Sequence, residues 1–467
     1  MNSAPTFIPP VATARAHSAG RFGFGFGTRF FVALLVGLIW VVPSAWSPRL
    51  IAGMFVWDGL FLLLWLQDLL RLPKPEELEL QRVWHSPPSL GLRSKVSVAL
   101  RNLGRRPVFA RVTDETPRAL RREPPAVELA VPAGISARAD YEILPAQRGD
   151  LPVGKFYLRY QSALRLAERW AVAETSASVR VLPNLEKSKQ QTLYLIRTRQ
   201  VAMERRRRRL RGLGREFESL REYRTGDEFR NISWTATARR SKLITRLFQV
   251  ERSQTVWIVL DAGRLLREQI VRPGASPLRL AKLDYAVDAA LALTQVAMHS
   301  GDRVGLLAYG REIQQNRNAG RGATHLHSIV ESLALVHSEP YEADHGRAAH
   351  ALLSKQHRRR SLIVWITDLA ETAGIPDVVE YALHMTRRHL VLFAAVGQPD
   401  LSERVSRRPD SEQDMFRYIA AIEIVQRREL LLRRLRQQGV LAMELLPGAL
   451  AASLVNQYLD IKDRSLL

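Results

Sequence analysis

Apolar positions along this 467-residue chain fall into three successive patterns. The first is a pair of near-continuous runs, 30–42 and 50–66, separated by Pro43, Ser44 and Trp46. Each reaches about 17 residues with its flanks, the short end of the range that spans a bilayer. Together they predict a transmembrane helical hairpin over 30–71, with Trp40, Trp46, Trp57 and Trp65 as interface anchors. The second pattern covers 75–183, where short β-type runs (96–100, 108–113, 127–131, 141–144, 156–160, 178–182) are punctuated by Pro, Gly and Asn. That rhythm predicts a small antiparallel β-sandwich. The third begins at 253, where apolar strands alternate with amphipathic helices. Strands are expected at 256–260, 303–309, 361–367, 390–395 and 441–445, and helices at 278–298, 326–336 and 450–459. Leu280, Leu283, Val287, Ala290, Leu291 and Thr294 form one face of the first helix. Near-continuous apolar strands with crossover helices predict a doubly wound, Rossmann-like parallel sheet over 253–467. The fold class is therefore multidomain, α/β plus β.

Cations near the apolar runs set an orientation. Arg15, Arg21 and Arg29 precede the first run, in a tail over 1–29, while Arg71, Lys74 and Arg82 follow the second. Only Arg49 lies in the turn. Positive-inside bias places both ends in the cytoplasm, giving a protein of the inner (plasma) membrane with two spanning helices. A cleaved signal peptide fits poorly, because proline would sit at the −3 position of cleavage at Ala45 and a second apolar run follows. Asp58, inside the second run, is costly in lipid and is expected to face the partner helix or to sit shallow.

The chain has no cysteine, which excludes disulfides, thiolate metal sites and cysteine nucleophiles. Its formal charge of +23 predicts attraction to anionic partners. Between the sandwich and the α/β region, 184–252 holds a basic helix over 185–211 that culminates in Arg205, Arg206, Arg207, Arg208 and Arg209. That run has no interleaved aromatics, so a solvated or lipid-facing surface is favoured over nucleic acid. Binding to nucleic acid or anionic lipid through this run is the alternative functional reading.

Ligands of doubly wound sheets bind at the carboxyl ends of the strands, and Asp261 and Asp368 both fall there. Two carboxylates meeting at a sheet edge repel unless a cation or a nearby Arg264 offsets them. Upstream, 214–239 packs Arg, Glu and Asp among aromatics. Glu216, Arg221, Tyr223, Gly226, Asp227, Arg230, Trp234 and Arg239 stand out in it. Gly226 suits a turn, Asp227 suits the cap of a following helix, and the arginines are placed to pair with Glu216, Asp227 and Glu251. No nucleophile is paired with a base, and no Gly-x-x-x-x-Gly-Lys-Ser/Thr loop occurs, so an enzyme is not expected. His325 and His327 lie two apart on an expected helix, about 200° around it, and do not share a metal.

The order of these features resembles the bacterial "domain of unknown function 58" family. The resemblance is carried by the 214–239 segment, the strand ending in Asp261, and the stretches 301–305, 361–369 and 458–462. It implies a von Willebrand A-like domain, in which the first strand usually ends in Asp-x-Ser-x-Ser and a distant Thr and Asp complete a Mg²⁺ site. Here both serine positions are lost, to Gly263 and Leu265, with Arg264 between them. Thr324 matches the threonine and Asp368 the second aspartate, so the resemblance implies a degenerate site with possible Mg²⁺ at Asp261, Thr324 and Asp368. It further implies a protein-interaction adaptor that works with a MoxR-type AAA+ ATPase on client proteins.

Overall fold

The computed structural model describes residues 12–20, 23–44, 46–47, 49, 51–175, 177–184, 216–224, 229, 232–249, 254–270, 279–354, 360–369 and 376–464. They divide into two units, one within Pro5–Leu182 and one within Pro183–Leu467.

In the first unit, strands β1 (Ala12–Ser18) and β2 (Phe24–Phe26) precede two apolar helices, α1 (Thr28–Gly37) and α2 (Ile51–Arg71). Strands β3 (Leu78–Trp84), β4 (Ser94–Asn102), β5 (Val108–Asp114), β6 (Ala126–Val131) and β7 (Ser136–Ile143) follow. Then come β8 (Gly149–Val153), β9 (Phe156–Gln161), β10 (Ala167–Ala173) and β11 (Ala177–Val181). β8 pairs with β11, and the rest form a nine-stranded sheet in the order β6–β5–β9–β10–β1–β3–β4–β7, with β2 also on β10.

Residues 12–18 correct the expectation of a tail. The first half of β1 pairs with β3 (Ala12 opposite Arg82) and the second half with β10 (Ala16 opposite Ala173). One strand thus passes between two sheets and closes the expected sandwich on that side into a barrel-like whole. Its sequence hid this because β1 has no large apolar residue. Small Ala14 and Ala16 pack on a core that β3, β4, β5 and β9 supply through Leu78, Leu80, Val98, Val112, Phe156 and Leu158. A buried charge pair lies in that core. Arg82 Nε donates to Asp114 Oδ2 at 2.9 Å, its guanidinium lies 4.5 Å from the centre of the Phe156 ring, and the Tyr141 hydroxyl donates to Asp114 at 2.6 Å. Such pairs survive burial only when fully hydrogen-bonded, as here.

At 1.5 Å per residue α2 is roughly 31 Å long, matching a hydrocarbon core of about 30 Å. Among the described residues it is the one helix long and apolar enough to cross a membrane; the apolar stretch Thr28–Pro43 is shorter. Phe31, Leu35, Phe55, Val56 and Leu63 are exposed along the two helices. The far end of α2 is fastened to the sheet. Asp68 Oδ2 accepts the backbone N–H groups of Leu166 and Ala167, and the Trp65 indole donates to the Gly25 carbonyl. Asp58 faces α1, where Gly37 makes room: a Cβ there would lie 2.8 Å from Asp58 Oδ1.

The second unit opens with β12 (Glu216–Glu222), helix α3 (Trp234–Arg240) and β13 (Ile244–Gln249), the two strands paired antiparallel. The α/β region follows: β14 (Thr255–Asp261), the short pair β15 (Gln269–Ile270) and β16 (Leu280–Ala281), α4 (Lys282–His299), β17 (Arg303–Tyr309) and β18 (Ile313–Gly320). It continues through α5 (Ala323–Leu335), α6 (His345–Ser354), β19 (Leu362–Thr367), α7 (Asp377–Thr386) and β20 (Leu390–Val396). The last elements are α8 (Pro399–Ser406), α9 (Glu412–Gln437), β21 (Leu441–Leu445) and α10 (Pro447–Asp463). Six strands align in the order β18–β17–β14–β19–β20–β21; all neighbours run parallel except β18, antiparallel at the edge. Trp257, Val259, Trp365 and Phe393 face one side, where Leu352, Val379 and Leu432 cover them. The alternate residues Ile258, Leu260, Val364 and Ala394 are equally buried on the other side. Burial on both faces explains why these strands read as unbroken apolar runs.

Candidate functional site

β14 sits between β17 and β19, and the chain runs from β14 to β17 on one side before returning to β19 on the other. This change of direction falls at the carboxyl ends of β14 and β19, the usual binding place in such sheets. Asp261 and Thr367 end those two strands, and Asp368 follows.

Asp261 is buried and internally satisfied. Its Oδ2 accepts the Thr367 hydroxyl at 2.6 Å and its Oδ1 accepts the Gly263 N–H at 2.7 Å. Burial pushes its carboxyl above the usual carboxylate range, and nearby Asp368 adds to this; His345, Thr367 and the Gly263 amide oppose it. His345 opens α6, and its Nδ1 lies 2.9 Å from the Tyr309 hydroxyl, which also accepts the Trp365 indole N–H at 2.8 Å. Burial lowers the His345 imidazole despite the pull of Asp261, and raises the Tyr309 phenol well above its ordinary value.

Asp368 is held by two cations. Lys282 Nζ donates to its Oδ2 at 2.8 Å, Arg428 to its Oδ1 at 2.5 Å, and the Leu369 N–H completes the set. Lys282, 1% exposed, also meets Glu268 at 2.5 Å. Burial works against ionised Glu268, but the Lys282 hydrogen bond and charge, Gln398 and Arg428 hold its carboxyl below the usual range. Arg428 additionally donates to the Val396 carbonyl and pairs with Glu444 at 3.0 Å.

The expected offset by Arg264 is therefore corrected. Arg264 points outward and pairs with exposed Glu342 at 3.2 Å. The charges that neutralise the edge come from α4 and α9, and both left a trace in the sequence. Lys282 lines up with Ala286, Ala289 and Ala290, and Arg428 with Ala421, Leu432 and Leu435, each a lone cation on a buried helical face.

Thr324 is corrected as well. Gly320 of β18 lies opposite Val304, at the start of β17, whereas Asp261 lies opposite Tyr309, at its end. Five strand steps of about 3.3 Å put Thr324, just beyond Gly320, roughly 17 Å from the aspartates, at the other edge of the sheet. The hairpin β17–β18 reverses the chain before α5 starts, which sequence order alone did not reveal. His325 is spent there too, with its Nε2 2.8 Å from the Val304 carbonyl, while His327 lies 3.5 Å from Glu331.

The residues at the edge do not fit Mg²⁺. Asp368 is taken by two cations, Thr324 is elsewhere, and the position of the lost serine has no room for a side chain. A Cβ on Gly263 would lie 2.8 Å from the Ala343 nitrogen, because the 339–343 segment is laced across it (Glu339 N–H to Ala262 O, Arg264 N–H to Tyr341 O, both 2.8 Å). Among the described residues no cluster of three or more His, Asp or Glu side chains is placed to hold a metal.

In the signature segment, the structure brings Arg221, Tyr223, Trp234 and Arg239 onto one β12–α3–β13 element, with Glu216 at the start of β12. Arg239 is exposed in the last turn of α3, and Arg221 donates to the Glu222 carbonyl. Gly226, Asp227, Arg230, Glu251 and the run Arg205, Arg206, Arg207, Arg208 and Arg209 lie outside the described residues, as does the expected basic helix. Two other stretches singled out in the sequence meet each other. Asp302 accepts the Tyr458 hydroxyl at 2.5 Å and Lys462 Nζ at 2.7 Å, tying α10 to the turn before β17.

Comparisons agree with the family resemblance. Residues 219–403 match the model of the family described as "Protein of unknown function DUF58". Uncharacterized proteins of Mycobacterium tuberculosis and Mycobacterium bovis are 29% identical over 190 residues, 40% of this chain and 56% of theirs. The alignment thus spans little more than half the length of those relatives. Among solved structures, a conserved hypothetical protein BatB from Bacteroides thetaiotaomicron is 18% identical over 32% of this chain and 69% of that one, with a TM-score of 0.25. The SpRpn10 VWA domain is 14% identical over 44% and 95%, with a TM-score of 0.27.

Proposed function

We propose that this chain is a membrane-anchored adaptor whose von Willebrand A-like sheet edge docks a protein partner without a bound metal. The observation that carries the reading is the Asp368 carboxylate clamped between Lys282 and Arg428. A carboxylate so neutralised has no charge left for a bridging cation, so recognition falls to the shape and surface groups of the surrounding loops. Arg264, Glu342 and Tyr341 are among the exposed side chains there. Catalysis is not part of this reading, and any nucleotide hydrolysis would come from the partner, for which the family resemblance suggests a MoxR-type AAA+ ATPase acting on client proteins.

Anchoring rests on α2 and on strand pairing. β1 lies before the apolar helices and β3 after them, yet the two are hydrogen-bonded neighbours (Arg15 opposite Glu79). That pairing supports a two-pass hairpin, in which the chain enters and leaves the apolar segment on one side. The cation bias assigns that side to the cytoplasm.

Affinity purification of the tagged full-length protein from detergent-solubilised membranes tests the reading. An AAA+ ATPase held by the wild type and released by the surface double variant Arg264→Glu/Tyr341→Ala supports it. Equal recovery with both proteins contradicts it.

A further inference from the structure

The β12–α3–β13 element carries a surface that the sheet edge does not use. Phe229 and Trp234 are 74% and 66% exposed. Tyr223 backs Phe229, with ring centroids 5.8 Å apart. On the same element Arg239, Arg240, Lys242 and Arg246 are all exposed. α3 ends at Ser241 in the left-handed region (φ 50°), which turns the chain between Arg240 and Lys242. Among the described residues from 220 to 246, Glu222 is the one acid, and Lys242 pairs with it at 3.0 Å. Large aromatics left in water on an element that exposes four cations form a surface suited to a partner that is apolar beneath and anionic above.

We propose that this element lies on an anionic lipid bilayer, with Phe229 and Trp234 at the headgroup level and the arginines and Lys242 on lipid phosphates. Aromatic rings settle at the membrane interface, and each Lys or Arg near an anionic leaflet contributes about 1 kcal/mol. The occupant is chosen by the chain itself. α2 belongs to the same polypeptide, and a covalent link to a membrane anchor raises the effective concentration at which even weak individual contacts are made. The net charge of +23 acts in the same direction. The inference rests on the membrane-anchored reading given above.

The absence of cysteine allows a single reporter. Full-length Ala238→Cys, spin-labelled and reconstituted in nanodiscs of phosphatidylcholine with or without phosphatidylglycerol, is read by its accessibility to oxygen and to a water-soluble nickel chelate. With phosphatidylglycerol, the label gains oxygen contact and loses nickel contact. Adding Arg239→Gln, Arg240→Gln and Lys242→Gln reverses this, with the membrane-apposed to free ratio falling on the order of a hundredfold; Trp234→Ala gives a smaller reversal. A label equally open to nickel in both lipids overturns the proposal, as does one shielded only on adding an oligonucleotide or a cell extract. Alkaline carbonate extraction of native membranes reports on α2 alone. Extraction of the chain into the soluble fraction defeats the anchoring reading, whereas a retained chain with an open label defeats only this one. Circular dichroism of the triple variant distinguishes lost charge from lost fold.

Discussion

Lys282 Nζ and Asp368 Oδ2 lie 2.8 Å apart at the carboxyl edge of the parallel sheet, and neither side chain reaches solvent. One is in the first turn of α4 and the other just beyond β19, so their pairing ties two crossovers of the fold together. Removing one partner of such a pair leaves a buried charge uncompensated.

Asp368→Asn, which takes the carboxylate from two buried cations at once, is accordingly expected to destabilise the protein by about 3–5 kcal/mol. The double variant Lys282→Met/Asp368→Asn should recover part of that loss, since Lys282 is then no longer buried against a neutral amide and Arg428 keeps Glu444. Denaturant unfolding of the single and double variants measures the coupling. Additive losses would mean that the two residues act independently.

Restoring the missing hydroxyl will not restore a site. Gly263→Ser places a Cβ 2.8 Å from the Ala343 nitrogen. Overpacking of this kind costs about 1–3 kcal/mol, so the melting temperature should fall. An unchanged or raised melting temperature would show that the 339–343 segment yields easily.

The pH response follows from His345. Burial holds its pKa below 6.5, so the folded state resists a proton that the unfolded chain accepts. Stability from this residue is complete above about pH 6.5 and is lost as pH falls through the lowered folded value. Asp261, whose pKa is raised, works in the opposite direction: its contribution is present at low pH and lost as pH rises through its folded value. His345→Gln should therefore flatten the acid side of the melting-temperature profile relative to wild type. A profile unaltered by the substitution would remove His345 from the account.

The closing strand of the first unit is open to a direct test. Ala14→Pro puts a proline into the stretch of β1 paired with β3, opposite Leu80, where it disturbs the ladder. We expect rapid proteolysis of the β-rich unit in Ala14→Pro. Ala16→Asp should do the same by burying an unpaired charge at a position 1% exposed. Wild-type resistance in both would mean that β1 adds little to the sheet.

Much of the fold was legible because burial on both faces writes itself as unbroken apolar runs. Strands 303–309 and 441–445 coincide with β17 and β21, and the expected second and closing helices fall within two residues or inside α5 and α10. Strands that borrow their core from neighbours were not legible. β1 offers only alanines inward, and β10 carries adjacent Glu168 and Arg169 and three small alanines. At the site, Asp261 and Asp368 were found by their place at strand ends, and their surroundings were not. Thr324 was misplaced because residue order does not show that β18 turns back to the far edge. Lys282 and Arg428 were overlooked because a lone cation in an apolar helical row is read as an imperfection of the row, although burial makes it the determining charge.

Isothermal titration of Mg²⁺ into the metal-stripped wild-type protein tests most directly whether these two cations have taken the place of a metal. The account predicts no saturable heat, and the same flat response from Asp261→Asn. Saturable binding by the wild type that disappears in Asp261→Asn would contradict it.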